Sequence, residues 1–294
     1  MRKPILPLFA GIHRGRLAIG MCVATVLSLS VHAVMLQLFH APYPGASLGS
    51  KLPAVVNDAV MIYAASWLYR SLCLSLPLRS PLCRITVLFV ILACLNETLR
   101  GWFMNGYCST PWTTSWLYET FTSLRGIAYY AAASVMSAAI YRCRQRSGRI
   151  VAAVLLALLL NFVLMSRLAS VLSIVLAYVE SLAPTGGRCQ MPYGPEVLIP
   201  AYLSFVEPAI ASLFCVAFTW RYSSARRCAF AWQFAVLVLA LKKQLLMAYV
   251  YAIYAPMPAW TALASMGQFT LEAAALGLLT AVAWQFAKDG PPCG

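Results

Sequence analysis

Apolar runs of about 20 residues alternate with short polar segments along the whole chain, and runs of that length are typical of helices that cross a bilayer. Eight spans are predicted, at 17–39, 53–73, 84–104, 117–141, 150–178, 196–220, 229–255 and 258–286. Because no polar block is long enough for a separate soluble domain, residues 1–294 are predicted to form one all-α domain. The fold class is a polytopic transmembrane helix bundle.

Basic residues set the predicted orientation of this bundle. They concentrate before the first run and between the second and third, the fourth and fifth, and the sixth and seventh runs, whereas the other connections hold chiefly Lys51 and Arg188. By the positive-inside rule, both termini are expected in the cytoplasm of a bacterial-type inner (plasma) membrane. The basic residues punctuate the spans and form no single patch, so the net charge of +14 does not indicate a nucleic-acid partner.

Two segments leave alternatives open. The first run follows basic residues and contains Val31-His32-Ala33, which resembles a signal-peptide cleavage site. Its apolar residues continue to Phe39, which favours an uncleaved span. The sixth run carries Pro200 and Pro208. These prolines predict either an ordinary kink or a discontinuous helix that lines a site, as in many transporters.

Cysteine and histidine positions predict a disulfide and no metal site. Of ten cysteines, only Cys108 and Cys189 fall in connections predicted to lie outside, where an oxidising compartment would pair them. No Cys-x-x-Cys or Cys/His spacing resembles a zinc site. The three histidines all lie in the N-terminal fifth of the chain, and there is no phosphate-binding GxxxxGK[ST] loop. No metal and no cofactor are therefore predicted.

Ionisable residues inside the apolar runs are the best indication of function. A charge within a bilayer costs about 2.5–3.5 kcal/mol even on a lenient insertion scale, so it needs a partner or a water-lined cavity. Counting a rise of about 1.5 Å per residue places most of these residues in the outer half of the bundle, with Glu272 alone near mid-depth. The predicted ligand-binding residues are Asp58, Glu97, Arg100, Arg125, Glu207, Lys242 and Glu272.

The charge balance of these runs favours an anionic ligand. With the neighbouring cations Arg167 and Lys243 included, four carboxylates face five cations. In this hypothesis Arg100, Arg125 and Lys242 contact the anion, while Glu97, Glu207 and Asp58 hold those cations in place. Adjacent residues of a helix point about 100° apart, so one of Lys242 and Lys243 is expected to face inward while the other snorkels or contacts a neighbouring helix.

Three functions fit these features, and membrane lipid is a partner in all of them. The leading hypothesis is an inner-membrane protein that binds or transports a small or lipid-linked anionic ligand in a cavity of its outer half. The first alternative is a membrane-embedded enzyme acting on a lipid or cell-envelope substrate at the outer leaflet, with Glu97 or Glu207 as acid or base. The second is a structural or accessory subunit whose charges lock helices together or bind a protein partner.

Overall fold

The computed structural model describes residues 8–45, 50–76, 80–222 and 227–289, and most of them are helical. The helices are α1 (Arg14–Gln37), α2 (Leu52–Ser75), α3 (Pro81–Leu95), α4 (Thr98–Cys108), α5 (Trp112–Tyr141), α6 (Arg146–Leu158), α7 (Met165–Tyr178), α8 (Pro195–Ser204), α9 (Val206–Thr219), α10 (Arg227–Leu241), α11 (Met247–Tyr254) and α12 (Ala259–Asp289). A π-helical segment, Leu159–Leu164, joins α6 to α7. Two short strands, β1 (Ser109–Thr110) and β2 (Gly186–Gly187), pair antiparallel.

The all-α prediction is confirmed, and each predicted run is helical along most of its length. Within the described residues, four helical segments are long and apolar enough to cross a membrane: Arg14–Gln37, Arg146–Tyr178, Pro195–Thr219 and Ala259–Lys288. A fifth is added if α3 and α4, which are bent by 41° at their junction, form one span. The structure therefore contains four or five candidate membrane spans.

Two runs predicted to be continuous helices are broken near charged residues. The third run breaks between Leu95 and Thr98, where Glu97 has a left-handed backbone with φ of 60°. The seventh breaks between Leu241 and Met247, where Lys243 has φ of 59°. Left-handed backbone is uncommon for residues other than glycine. The prediction of unbroken helices at these points was wrong, because hydropathy does not register a change of direction within an apolar run.

The sixth run is interrupted at one residue, Phe205, between α8 and α9. Pro208 accounts for the position of this interruption: a proline has no backbone N–H to donate to the carbonyl four residues earlier, here that of Ser204. The two helices together still form one candidate span, Pro195–Thr219, and α8 contributes Val197, Leu198, Ala201 and Tyr202 to the wall of a cavity. Glu207 beside the interruption has a role at α4, described below.

Helix α12 is held between α1 and α10 by small residues. A Cβ atom on Gly20 would lie 2.7 Å from the Ala283 Cβ, and one on Gly277 would lie 2.7 Å from the Ala235 Cα. Such close backbone approach is the usual way for apolar helices to associate in lipid, where burial of apolar surface offers little driving force. This packing fixes the position of Glu272 in the middle of α12.

The predicted disulfide is present between Cys108 and Cys189, whose Cα atoms are 5.1 Å apart. Beside it, Ser109 of β1 pairs with Gly187 of β2. The bridge and the strand pair together tie the end of α4 to the connection between α7 and α8. We call this side of the bundle the disulfide end.

Candidate functional site

A cavity of about 770 Å³ lies between α2, α4, α5, the π-helical segment and the break between α10 and α11. Its volume falls within the range of small-molecule sites, roughly 300–1,000 Å³. The charged and amide side chains that line this larger cavity are Asn57, Asp58, Asn96, Glu97, Asn105, Glu119, Arg125, Asn161, Lys242, Lys243 and Gln244. Four of the seven predicted site residues are among them.

Glu97 joins the two helix breaks through a pair of ionic contacts. One of its carboxylate oxygens accepts from the guanidinium of Arg100, and the other accepts from the ammonium of Lys242. The neighbouring Asn96 donates its side-chain amide to the Leu241 carbonyl at 3.0 Å. That carbonyl belongs to the end of α10, where helical partners are missing. Side chains at the break after α3 therefore compensate polar groups at the break after α10. Arg100 and Lys242, which were predicted to contact the anion, are both in contact with Glu97 instead.

Glu207 occupies the beginning of α4, where its carboxylate accepts hydrogen bonds from the backbone amides of Leu99, at 3.0 Å, and Arg100, at 2.5 Å. These amides are among the first N–H groups of the helix, which have no intrahelical partner and carry partial positive charge. The expectation that Glu207 neutralises a cationic side chain was wrong. It compensates the N-terminus of α4 instead. This terminus exists only because the third run is divided into α3 and α4, which the sequence did not predict.

Asp58 lies at the centre of a second polar cluster in the larger cavity. It accepts from the Tyr129 hydroxyl with one oxygen and from the Asn161 amide, at 2.8 Å, with the other. The Lys243 Nζ atom is 4.0 Å from Asp58 and 4.4 Å from the centre of the Tyr129 ring. Lys242 faces the interior as expected for one member of the pair. Lys243 also reaches the cavity, because the chain leaves helical geometry at that residue.

Two further charges of the larger cavity, Glu119 and Arg125, both lie on α5. Glu119 is only 9% exposed, and its Oε2 atom accepts from Asn105 at 3.3 Å and Thr122 at 2.9 Å. Arg125 is exposed on the cavity wall. Neither residue forms an ion pair with another described residue. Glu119 was missed as a site residue, although a carboxylate inside the fourth apolar run was the available signal.

A smaller cavity of about 370 Å³ lies beneath the disulfide and is lined by His32, Tyr43, Arg100, Tyr193 and Glu272 among others. Glu272 lies 3.8 Å from the Lys242 ammonium and 3.9 Å from the His32 imidazole. Because Lys242 and Glu97 line the larger cavity while Glu272 and Arg100 line the smaller one, these charges form the partition between the two cavities.

The predicted excess of positive charge is not present around the cavities. Arg167, one of the five predicted cations, is exposed and lines neither cavity, whereas Glu119 joins the carboxylates. The charges of the linings, the partition and the α4 terminus are Asp58, Glu97, Glu119, Glu207 and Glu272 against Arg100, Arg125, Lys242 and Lys243. The excess was predicted by counting residues along each span, and such a count does not show in which direction a side chain points.

Comparison with known proteins adds no family to this description. No family model, curated protein or solved structure matches the chain. In the part of the chain that the structure describes, no group of three or more His, Cys, Asp or Glu side chains could hold a metal ion. Glu97 and Glu207 use both carboxylate oxygens in contacts within the bundle. Glu119 and Arg125, in contrast, have no oppositely charged partner among the described residues.

Proposed function

We propose that this chain is a multi-pass inner-membrane protein that binds or transports a small or lipid-linked anionic ligand in the larger cavity. One observation carries the proposal: Arg125 lines a cavity inside a bundle of apolar helices and has no ionic partner among the described residues. A guanidinium at such a place needs water or an anionic ligand for compensation. Lys243, on the wall of the same cavity, supplies a second cation.

The proposed topology has eight spans with both termini in the cytoplasm. It is supported by the helical structure of all eight predicted ranges and by the alternation of basic connections along the sequence. The disulfide end then faces the outside, where Cys108 and Cys189 would meet oxidising conditions. The larger cavity lies in the same half, since Asn105, three residues before Cys108, is part of its lining.

The two helix breaks favour transport over static binding. Secondary transporters commonly form their sites at discontinuous helices, whose free ends and unwound backbone face the substrate. Here the breaks near Glu97 and Lys243 border the larger cavity. We propose that the contacts of Glu97 with Arg100 and Lys242 hold these breaks together and do not bind the ligand directly.

The other two functions have less support in the geometry. An enzyme using Glu97 or Glu207 as acid or base would need a carboxylate oxygen free to exchange a proton with a substrate. Both oxygens of Glu97 contact cations, and both oxygens of Glu207 accept backbone amides. A purely structural role explains those two residues well, but it leaves Arg125 without a purpose.

The binding test compares two arginines of the same bundle. Isothermal titration of the detergent-purified chain with glycerol 3-phosphate is expected to show saturable binding that Arg125→Gln weakens at least about tenfold, since a charge-assisted contact contributes about 1.5–3 kcal/mol. Arg167→Gln serves as the control, because Arg167 is exposed and lines neither cavity. Equal weakening by both substitutions, or no binding to the wild type, would overturn the proposal.

Topology is tested separately by cysteine labelling. In a background that keeps only Cys108 and Cys189, a membrane-impermeant maleimide should label Ser123→Cys in intact cells, because Ser123 lines the larger cavity. Arg144→Cys, in the connection between α5 and α6, should react only after permeabilisation. The reverse pattern would place the larger cavity on the cytoplasmic side and contradict the proposed orientation.

A further inference from the structure

The larger cavity contains two uncompensated charges of opposite sign, and we infer that its ligand is zwitterionic, carrying a primary ammonium as well as an anionic group. This inference rests on the proposed function and adds a second recognition element to it. Arg125 is the uncompensated cation, and Glu119 is the uncompensated carboxylate. A purely anionic ligand would satisfy the first charge and leave the second without a counter-ion.

The environment of Glu119 favours a cationic partner. This side chain is 9% exposed, and a carboxylate so deeply buried is normally paired or fully hydrogen-bonded. Its two neutral donors, Asn105 and Thr122, both contact the Oε2 atom, and no described residue donates to Oε1. The free oxygen belongs to a residue that lines the cavity, so a ligand ammonium can approach it there.

An aromatic side chain of the same cavity contacts the residue next to Glu119, since the Trp102 indole N–H donates to the Thr120 hydroxyl at 3.1 Å. Trp102 lines the same cavity and stands three residues before Asn105 on α4, so the two share one face of that helix. Asn105 in turn contacts Glu119. The indole ring attracts cations over its face, with tryptophan the best of the aromatic residues for this contact. Glu119 and Trp102 together thus form a site for an ammonium group.

The anionic end of the ligand is expected at Arg125 and Lys243. Arg125 follows Glu119 by six residues on α5, which corresponds to about 9 Å along the helix axis. Lys243 lies deeper still, against Tyr129 of the same helix. A guanidinium and an ammonium that line the same cavity suit a phosphate, because the guanidinium can donate two parallel hydrogen bonds to it. The ligand chemistry is therefore an ammonium joined to a phosphate by a short spacer.

The order of these groups along α5 fits a phospholipid headgroup as one source. Glu119 is nearer the disulfide end than Arg125, since α5 begins at Trp112 beside that end. A lipid of the outer leaflet would place its phosphate deeper than its ammonium, in the same order. A free solute such as phosphoethanolamine carries the same two groups, so the experiment needs a soluble arm and a lipid arm.

In the soluble arm, the purified chain is titrated with phosphoethanolamine and with glycerol 3-phosphate, which has the phosphate but no ammonium. Wild type is expected to bind phosphoethanolamine at least about tenfold more tightly, from one charge-assisted contact. Glu119→Gln should remove this preference without weakening glycerol 3-phosphate, and Arg125→Gln should weaken both. Equal binding of the two probes by wild type would overturn the zwitterion inference and leave the proposed function standing.

In the lipid arm, native mass spectrometry compares retention of phosphatidylethanolamine and phosphatidylglycerol with identical acyl chains from mixed nanodiscs. Selective retention of phosphatidylethanolamine that Glu119→Gln abolishes would support the inference and assign the lipid as the source. A preference seen only in the soluble arm would support it with a free solute as the source. If no probe binds in either arm, the proposed function fails together with the inference.

Discussion

The carboxylate of Glu207 on α9 accepts a hydrogen bond from the backbone amide of Leu99, at 3.0 Å, although the two residues are far apart in sequence. The contact compensates the free N-terminus of α4 and so makes the break after α3 possible. An acidic residue within the sixth apolar run thereby shapes the third. The break in turn brings Glu97 to its two cations.

Removing this contact should destabilise the bundle by a graded amount. Glu207→Ala is expected to lower the free energy of unfolding by about 1–2 kcal/mol, because two helix-terminal amides lose their acceptor. Glu207→Gln should cost less, since its amide oxygen can still accept one of them. Chemical denaturation in mixed micelles measures both, with Glu180→Gln as an exposed control. Equal effects of the three substitutions would contradict the role of Glu207 in compensating the N-terminus of α4.

The contact between Glu97 and Lys242 is expected to show strong coupling. Glu97→Gln should destabilise by about 3–5 kcal/mol, because the half-buried Arg100 guanidinium loses its carboxylate and the buried Lys242 ammonium keeps only Glu272, at 3.8 Å. Lys242→Met should cost less, since Glu97 retains Arg100. A double-mutant cycle measured by the same denaturation should give a coupling energy of about 0.5–3 kcal/mol. Strictly additive effects would show that the two breaks are independent.

Two glycines of α12, Gly277 and Gly267, form a matched pair that tests the close packing of α12 against α10. Gly277→Ala should destabilise, because the added Cβ would lie 2.7 Å from the Ala235 Cα, a backbone atom that cannot move alone. Gly267→Ala meets nothing within 4 Å and should be neutral or stabilising by up to about 1 kcal/mol through helix propensity. Thermal unfolding of the two variants decides this, and destabilisation of the same size at both positions would contradict it.

The disulfide is expected to stabilise the disulfide end in the native membrane. Mass spectrometry of the unreduced chain should find Cys108 and Cys189 in one cross-linked peptide. Replacing both by serine should lower stability by about 2–4 kcal/mol, because the bridge restricts the unfolded chain. Cys83→Ser, at an exposed free cysteine, is the control and should have little effect. Free thiols at both positions in native membranes would show that the bridge does not form there.

Much of the fold could be predicted from the sequence, because the length of an apolar run and the charges of the connections beside it are local properties. The helical ranges were predicted from run length, and the disulfide was predicted because only Cys108 and Cys189 fall in connections expected outside. The direction in which individual side chains point could not be predicted. Arg167 is exposed and lines neither cavity, whereas Glu119 and Asn161 line the larger one. In a membrane both lipid and core are apolar, so the sequence pattern carries little information about which face of a helix is inside.

The breaks show the same limit at the level of the backbone. Glu97, Lys242 and Lys243 were recognised as charged residues within apolar runs, but were placed on continuous helices. Each break is stabilised by groups distant in sequence, such as the Leu241 carbonyl that accepts from Asn96. A local pattern cannot show a partner 145 residues away. For this reason Glu97 and Lys242 were identified as charged candidates, while their role in joining two broken helices emerged only from the structure.

We propose above all that the larger cavity holds an anionic group at Arg125. The most direct test is a pair of high-resolution density maps, of the wild type and of Arg125→Gln, both purified in native lipid nanodiscs. We expect non-protein density beside Arg125 and Lys243 in the wild type, and its loss in the variant with the Glu97–Lys242 contact unchanged. A wild-type cavity filled by protein side chains, or the same density in both maps, would contradict it.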